Sequence, residues 1–214
     1  MSGPLDRLRP HLPDEVWFRF NPRGIHGAPH TTRVLIWAAT LAERVAPVPG
    51  AIRRDELLWA AAVHDVGRLD DGVDRGHGER SAAWVRAALA DARPATRAVD
   101  LGFVAELCAW HEVPDHKIGR MSLELLVLKD ADGLDRCRIS DLDPERLRLQ
   151  QARRLVAAAE RLERATNGYG MVTAEAVLAA AEGNGDGVVL DPAAAPSPHH
   201  GPSGHRGDQT AQLR

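Results

Sequence analysis

The sequence predicts an all-α protein, a bundle of six to eight helices with a disordered C-terminal tail. Apolar residues recur at steps of three and four between proline and glycine breaks, the period of a half-buried helix. No segment alternates apolar with polar residues in the manner of a strand. Residues 183–214 are Gly, Pro, Ala, Ser and His without period and offer no apolar face to bury.

The elements follow in order. Residues 1–24 belong to a stretch rich in Pro and Gly and form a lead-in, a short helix or an extended segment. Pro29 suits the first turn of a helix whose apolar stripe is Val34, Trp37, Leu41 and Val45, ending before Pro47. Asp55 is a suitable N-cap for a second helix running into Val63-His64-Asp65. Gly and Asp residues over 68–76 predict a loop. A third helix runs from about His77 to Ala92, and a fourth from about Thr96 to His111. Ser122 with Glu124 opens a fifth through Leu134. Pro144 begins a sixth, Arg-rich and amphipathic, to about Ala165. Thr173 caps a last short helix to about Glu182.

Composition narrows the function. The chain has 214 residues, 44% of them apolar, and a formal net charge of -3, which argues against a nucleic-acid footprint. Only Lys117 and Lys129 are lysines; the other basic residues are arginines. Two cysteines, Cys108 and Cys137, make no CxxC motif and no disulfide framework. No run approaches 18 apolar residues, and the N-terminus lacks a charged-then-apolar pattern. The expectation is a cytoplasmic protein with no membrane contact.

The most informative residues are His64 and Asp65, inside the apolar run Leu57 to Val66. A buried imidazole beside a buried carboxylate costs several kcal/mol unless something satisfies both. A divalent ion does so, because neutral histidine nitrogen and carboxylate oxygen suit transition metals and Mg- or Mn-type ions. Other candidates lie on or beside apolar stripes. His30 heads the stripe of Val34, Trp37 and Leu41. Asp130 lies on Leu123, Leu126, Val127 and Leu134. His111 ends Val104, Leu107 and Cys108, and His77 begins a helix whose inner face is Ser81, Trp84, Val85 and Ala88. Metal sites in helical folds are built from facing helices in this way. Each position also has a plain structural explanation. A core histidine is usually only hydrogen-bonded, His77 serves equally as a loop residue or cap, and Asp130 is followed by Asp132 and Asp135, one of which is as readily a surface acid.

The order His…His-Asp…Asp resembles the HD superfamily of metal-dependent phosphohydrolases. His30-Thr31-Thr32-Arg33-Val34 looks like its first motif, Ala62-Val63-His64-Asp65-Val66-Gly67 like its namesake segment, and Leu128-Lys129-Asp130-Ala131-Asp132-Gly133-Leu134-Asp135 like its closing motif. His77-Gly78-Glu79-Arg80-Ser81-Ala82 and Trp110-His111-Glu112 look like motifs of subsets of the superfamily. The resemblance covers roughly residues 25–165 and implies an all-α HD-type bundle; with the last short helix the domain is expected over residues 25–182. It implies metal ligation by His30, His64, Asp65 and Asp130, with His77 and His111 at a second ion or a substrate phosphate. One or two divalent ions (Mn, Co, Ni, Fe, Zn or Mg) are implied. Asp65 would act in catalysis, as a ligand able to bridge two ions. Val113-Pro114-Asp115 follows His111 where the cyclic-di-GMP phosphodiesterase branch has Gly-Tyr-Pro, a departure from that branch.

A bound ion would activate water for attack on phosphorus. Arg33 and Arg68 are then candidate phosphate clamps, with Lys129 and His26 as further substrate contacts; surface charge, a salt bridge or a helix cap explains each of them equally well. The expected substrate is a small phosphorylated molecule, a nucleotide or related phosphoester. A non-catalytic nucleotide sensor and a di-iron oxygenase are the other readings, and an intact ligand set favours catalysis. A homo-oligomer is compatible with the sequence.

Overall fold

A computed structural model describes residues 5–167 and 173–183; the tail expected to be disordered lies, beyond Gly183, outside the described residues. The described residues hold α-helices and 3-10 turns and no strand. In chain order the helices are α1 (Ala28–Val45), α2 (Arg54–Val63), α3 (His77–Trp84), α4 (Ala90–Ala92), α5 (Leu101–His111), α6 (Leu123–Leu134), α7 (Gln150–Arg153), α8 (Val156–Thr166) and α9 (Ala174–Gly183). No helix is long and apolar enough to cross a membrane.

Helix α1 is the central rod, with α2, α6 and α9 packed around it, and α3 and α5 form a second pair joined to it through α2. Its buried residues run without a gap from Ala28 to Ala42, so no face of that stretch reaches solvent. Gly27 precedes it, with Pro29 in the first turn, as the missing proline N–H allows. The lead-in is not loose. It forms 3-10 turns at Asp6–His11 and Glu15–Trp17, and Leu5, Leu8, Leu12 and Trp17 are buried in the core.

Ser122 and Thr173 act where the sequence predicts, but several boundaries move: the fourth expected helix starts at Leu101 and not near Thr96, which lies in a separate 3-10 turn at Pro94–Ala98. The Asp100 and Ser122 side chains accept from the N–H groups of Phe103 and Leu125, capping α5 and α6, and Thr173 Oγ1 accepts from Ala176 for α9. Asp55 is not the cap of α2; it lies in the first turn, and the leading N–H of Arg53 is taken by Glu124 Oε1 from α6. Helix α2 stops at Val63, so His64 is its C-cap and Asp65 lies in the turn beyond. The expected sixth helix breaks into a 3-10 turn at Pro144–Arg146, then α7 and α8. The break has a cause: the Asp130 carboxylate accepts the N–H groups of Arg148 and Leu149 at 2.7–3.0 Å, and Leu147 and Leu149 are extended. A carboxylate that captures two consecutive N–H groups removes them from any i→i−4 ladder. The third expected helix also changes character, passing through one π-helical stretch at Val85–Leu89.

Two glycines let backbones meet where the site forms. A Cβ on Gly67 would fall 2.4 Å from Ser81 N, and one on Gly78 would fall 2.6 Å from Cys108 O. The first brings the turn after Asp65 against α3, where Ser81 Oγ accepts from Gly67 N–H; the second brings α3 against α5.

Candidate metal centre

Helix ends deliver the side chains. His30 comes from the first turn of α1, His64 and Asp65 from the end of α2, His77 from the start of α3, His111 from the end of α5, and Asp132 from α6. All but Asp132 are buried to 8% exposure or less. An open cleft of about 1220 Å³ lies over them, lined among others by Asp65, His77, His111 and Asp132.

The imidazoles share one pattern. Nδ1 of His30 lies 2.8 Å from Asp135 Oδ2, that of His64 2.9 Å from Ala61 O, that of His77 2.6 Å from Asp74 O and that of His111 2.6 Å from Cys108 O. Each partner can only accept, so Nδ1 carries the proton and donates. In the neutral ring Nε2 is then a bare lone pair. These lone pairs face one another, His30 to His64 at 3.3 Å and His77 to His111 at 3.0 Å. Between the two pairs stands the Asp65 carboxylate. Its Oδ2 is 3.5 Å from His30 Nε2 and 3.9 Å from His64 Nε2; its Oδ1 is 3.1 Å from His77 Nε2 and 3.6 Å from His111 Nε2. Asp65 Oδ1 nonetheless receives no hydrogen bond of acceptable geometry. Asp132 Oδ1 adds an oxygen 3.5 Å from His30 Nε2.

A set of lone pairs aimed at a common centre repels itself unless cations lie between. The donors form overlapping groups able to hold an ion: His26 with His30 and Asp65; His30 with His64 and Asp132; His64 with Asp65 and His111. Nitrogen and carboxylate oxygen are a fit for first-row divalent metals. Protonation favours the same state. Burial pushes the His64 pKa down to about 3, with only partial opposition from Asp65, so His64 stays neutral. Burial would raise Asp65 and Asp132, but the surrounding imidazoles outweigh it and hold both below the ordinary carboxylate range. Burial lowers His77, yet the Asp65 carboxylate beside it raises its pKa overall, as expected where positive charge is wanted.

The structure brings together His30, His64, Asp65, His77 and His111 as the sequence predicts, but it does not bring Asp130. That carboxylate is fully buried on the Arg148 and Leu149 N–H groups and on Arg148 Nη1, at 3.0 Å. Asp132 stands at the cluster instead. Two residues along a helix rotate the side chain by about 200°, so the two acids face opposite sides of α6. Sequence patterning could not decide between them, because α6 is buried nearly all round. Leu125, Leu128, Asp132 and Asp135 also fall at helical spacing, and that stripe was the missed signal.

Arg33 is also elsewhere than expected. It is buried behind His30, with Nε 2.6 Å and Nη2 3.0 Å from the Asp135 carboxylate that accepts His30 Nδ1–H. It orients a histidine and does not line the cleft. Burial would raise Asp135, but Arg33 and His30 hold it far below its ordinary pKa. Lys129 is spent as well: Nζ donates to the carbonyls of Trp110, His111 and Val113, tying down the end of α5, with Asp115 at 3.2 Å. Cations at a helix C-terminus are stabilising, and here the contact fixes the element that carries His111.

Lys129 lines the cleft with its ammonium already engaged, whereas Arg68 and His26 reach it with polar atoms turned toward Asp65 and His77. Arg68 Nη2 and Nε donate to the carbonyls of Gly72 and Asp70, which leaves Nη1 against His77, 3.2 and 3.4 Å from its ring nitrogens. His26 Nδ1 is 3.0 Å from Asp65 Oδ2 and 3.0 Å from Arg138 Nη2. Arg138 was absent from the sequence reading. Its Nε donates to Ile25 O and its Nη1 to Asp135 O, so it pins the loop carrying His26 to the segment after α6. Glu112, also missed, accepts Gly78 N–H and meets His77 Nδ1 at 3.2 Å.

Comparison with curated proteins and with solved structures gives no match. A family model for the HD domain matches residues 27–137, just over half of the chain, and spans every residue of the histidine–aspartate cluster except His26. The chain belongs to the HD domain family.

Proposed function

We propose that this protein is a metal-dependent phosphohydrolase that cleaves a small phosphorylated substrate, a nucleotide or related phosphoester. HD domains bind divalent metals, and this chain carries groups able to hold one. The observation that supports the reading best is the pair of opposed imidazole pairs on either side of the Asp65 carboxylate, beneath an open cleft. His30, His64, Asp132 and Asp65 would hold one ion, and His77, His111 and Asp65 a second. A divalent ion bound there supplies Lewis acidity and lowers the pKa of a coordinated water. The protein's own part is positional. The Nδ1 partners fix each imidazole with Nε2 inward, Asp65 spans the two halves, and Arg68 offers a guanidinium to a phosphoryl oxygen at the cleft. His26 lies where it can contact the same phosphate.

Among the described residues no aromatic side chain other than histidine lines the cleft, so a nucleobase would be held at its rim by apolar contact with Ile25, Val73 and Ile139, all exposed there. We read the protein as working in a reducing compartment such as the cytoplasm, in keeping with its free Cys108 and Cys137. Metal analysis of the purified protein combined with a phosphate-release screen over nucleotides tests the assignment. Stoichiometric Mn, Co, Ni, Fe, Zn or Mg with release from at least one phosphoester is expected. Bound metal with no release from any, or no bound metal, would overturn it.

A further inference from the structure

The two halves of the cluster are not equivalent in charge. Around His30 and His64 stand Asp65 Oδ2 and Asp132 Oδ1, and behind His30 a third carboxylate, Asp135, accepts its Nδ1–H. The cations on this side, Arg33 and Arg138, meet Asp135, away from the Nε2 edge: Arg33 through Nε and Nη2, and Arg138 through Nη1 at 3.6 Å. Around His77 and His111 fewer carboxylate oxygens face the Nε2 edges, and a guanidinium stands against one ring. Both imidazoles lean on neutral backbone carbonyls, and Asp65 Oδ1 is the single carboxylate oxygen at the Nε2 edges. Glu112 meets His77 at Nδ1, on the outer edge. Lys129 grips the His111 carbonyl, and Arg68 Nη1 stands against the His77 ring, 3.9 Å from Asp65 Oδ1. An ion at this half must therefore bind beside a buried guanidinium that is always charged.

We propose that Arg68 makes the second position a conditional metal site, weak in the resting protein and filled when a phosphate anion arrives. The inference rests on the metal-dependent reading above. Arg68 is 7% exposed and held by the Gly72 and Asp70 carbonyls, so it cannot swing away to relieve the repulsion. Like charges a few ångströms apart in a site of low dielectric oppose each other strongly. A phosphoryl oxygen that pairs with Nη1 neutralises that charge and gives the incoming ion a further oxygen ligand. Phosphate and second ion then favour each other's binding, and by linkage each raises the affinity of the other by the same factor. Divalent metal and substrate would load the His77 half together, while the His30 half stays filled.

Calorimetric titration with Mn²⁺, with and without inorganic phosphate, tests this, with the electron spin resonance signal of paired ions as a second readout. The wild type should take one ion tightly and a second about 10–100-fold more weakly, the range over which outer-shell groups tune metal sites. Phosphate should narrow that gap by about tenfold or more. In Arg68→Gln the second ion should bind tightly without phosphate, and phosphate should add nothing. Arg68→Lys, which restores a cation, should behave as the wild type. Equal affinities in the wild type, or an Arg68→Gln titration that matches the wild type, overturns the proposal while leaving the hydrolase reading standing. Absence of any Mn²⁺ binding sinks both. Asp135→Asn serves if Arg68→Gln does not fold, because it acts from the opposite half. It should weaken the first ion about tenfold and leave the second unchanged, and an unchanged first ion overturns the proposed asymmetry.

Discussion

The two sides of α6 do opposite work with the same residue types. On one side Asp130 and Lys129 bind the loops around the cleft: the carboxylate takes the N–H groups of Arg148 and Leu149, and the ammonium takes the last carbonyls of α5. On the other side Asp132 stands at His30 Nε2, and Asp135, in the 3-10 turn that follows, holds His30 Nδ1. Burial does not separate the roles, for Asp130 and Asp135 are both fully buried while Asp132 is 28% exposed on its side chain. What separates them is whether every oxygen already has a donor. Asp130 is saturated by N–H groups and has nothing left to offer an ion; Asp132 Oδ1 stands 3.5 Å from the His30 Nε2 lone pair and opens to the cleft. Saturation, read from partners, distinguishes a structural acid from a candidate ligand where position in the sequence cannot.

The comparison breaks most visibly in a reciprocal pair of variants. Asp132→Ala should reduce bound metal beyond the ~10–100-fold that loss of an outer-shell partner costs, with little change in melting temperature. Asp130→Ala should do the reverse, retaining metal while losing about 2–4 kcal/mol as two N–H groups lose their acceptor. Metal content and urea denaturation on both proteins decide the matter, and the opposite pattern would restore Asp130 as the ligand. Arg33→Met should cost about 3 kcal/mol because it removes the bidentate partner of the buried Asp135 carboxylate and leaves it only Arg138 at 3.6 Å and the His30 Nδ1–H. The double variant Arg33→Met, Asp135→Leu should recover most of that stability in urea and none of the metal affinity, since His30 then lacks its Nδ1 partner.

Smaller effects sharpen the contrast. Lys129→Met should lose about 1–3 kcal/mol through the unpaired carbonyls, and its Mn²⁺ titration should change at the His111 half rather than the His30 half. The smallest effect concerns a histidine far from α6. His11 stacks at 4.8 Å on Trp59, and burial lowers its pKa below the ordinary 6.5, with Asp55 opposing. The unfolded chain therefore takes up that proton first as pH falls, so the contribution of His11 is intact above about 6.5 and declines as pH drops toward the folded pKa. His11→Phe should flatten the stability of the parent between pH 7 and 5; an unchanged slope would remove His11 from the acid response.

The sequence carried the helical class and the histidines because both depend on local regularities. The stripe from Val34 to Val45 marks α1 whatever packs on it, and His30, His64, His77 and His111 sit at helix ends that Pro, Gly and caps punctuate. What it hid was three-dimensional in origin. Asp130 and Asp132 differ by what their oxygens meet across the bundle. Pro144 to Ala165 reads as one amphipathic helix until a carboxylate 18 residues earlier captures Arg148 N–H. Arg33 looks like a phosphate clamp one turn from His30, and only the partner 102 residues away shows that it points to the core.

That last distance has a consequence during synthesis. His30 and Asp135 are 105 residues apart, so a ribosome adding about 5–20 residues per second leaves roughly 5–20 s between them. Throughout that interval the nascent α1 carries an arginine and a histidine whose burial is uncompensated. The central helix can gather α2, and α2 the α3–α5 pair, but α1 has to keep the Arg33 end open to water until α6 and the turn after it emerge. The closing of that clamp is a late step by construction, and a pause placed between residues 111 and 135 would prolong the window in which the half-built bundle exposes its core.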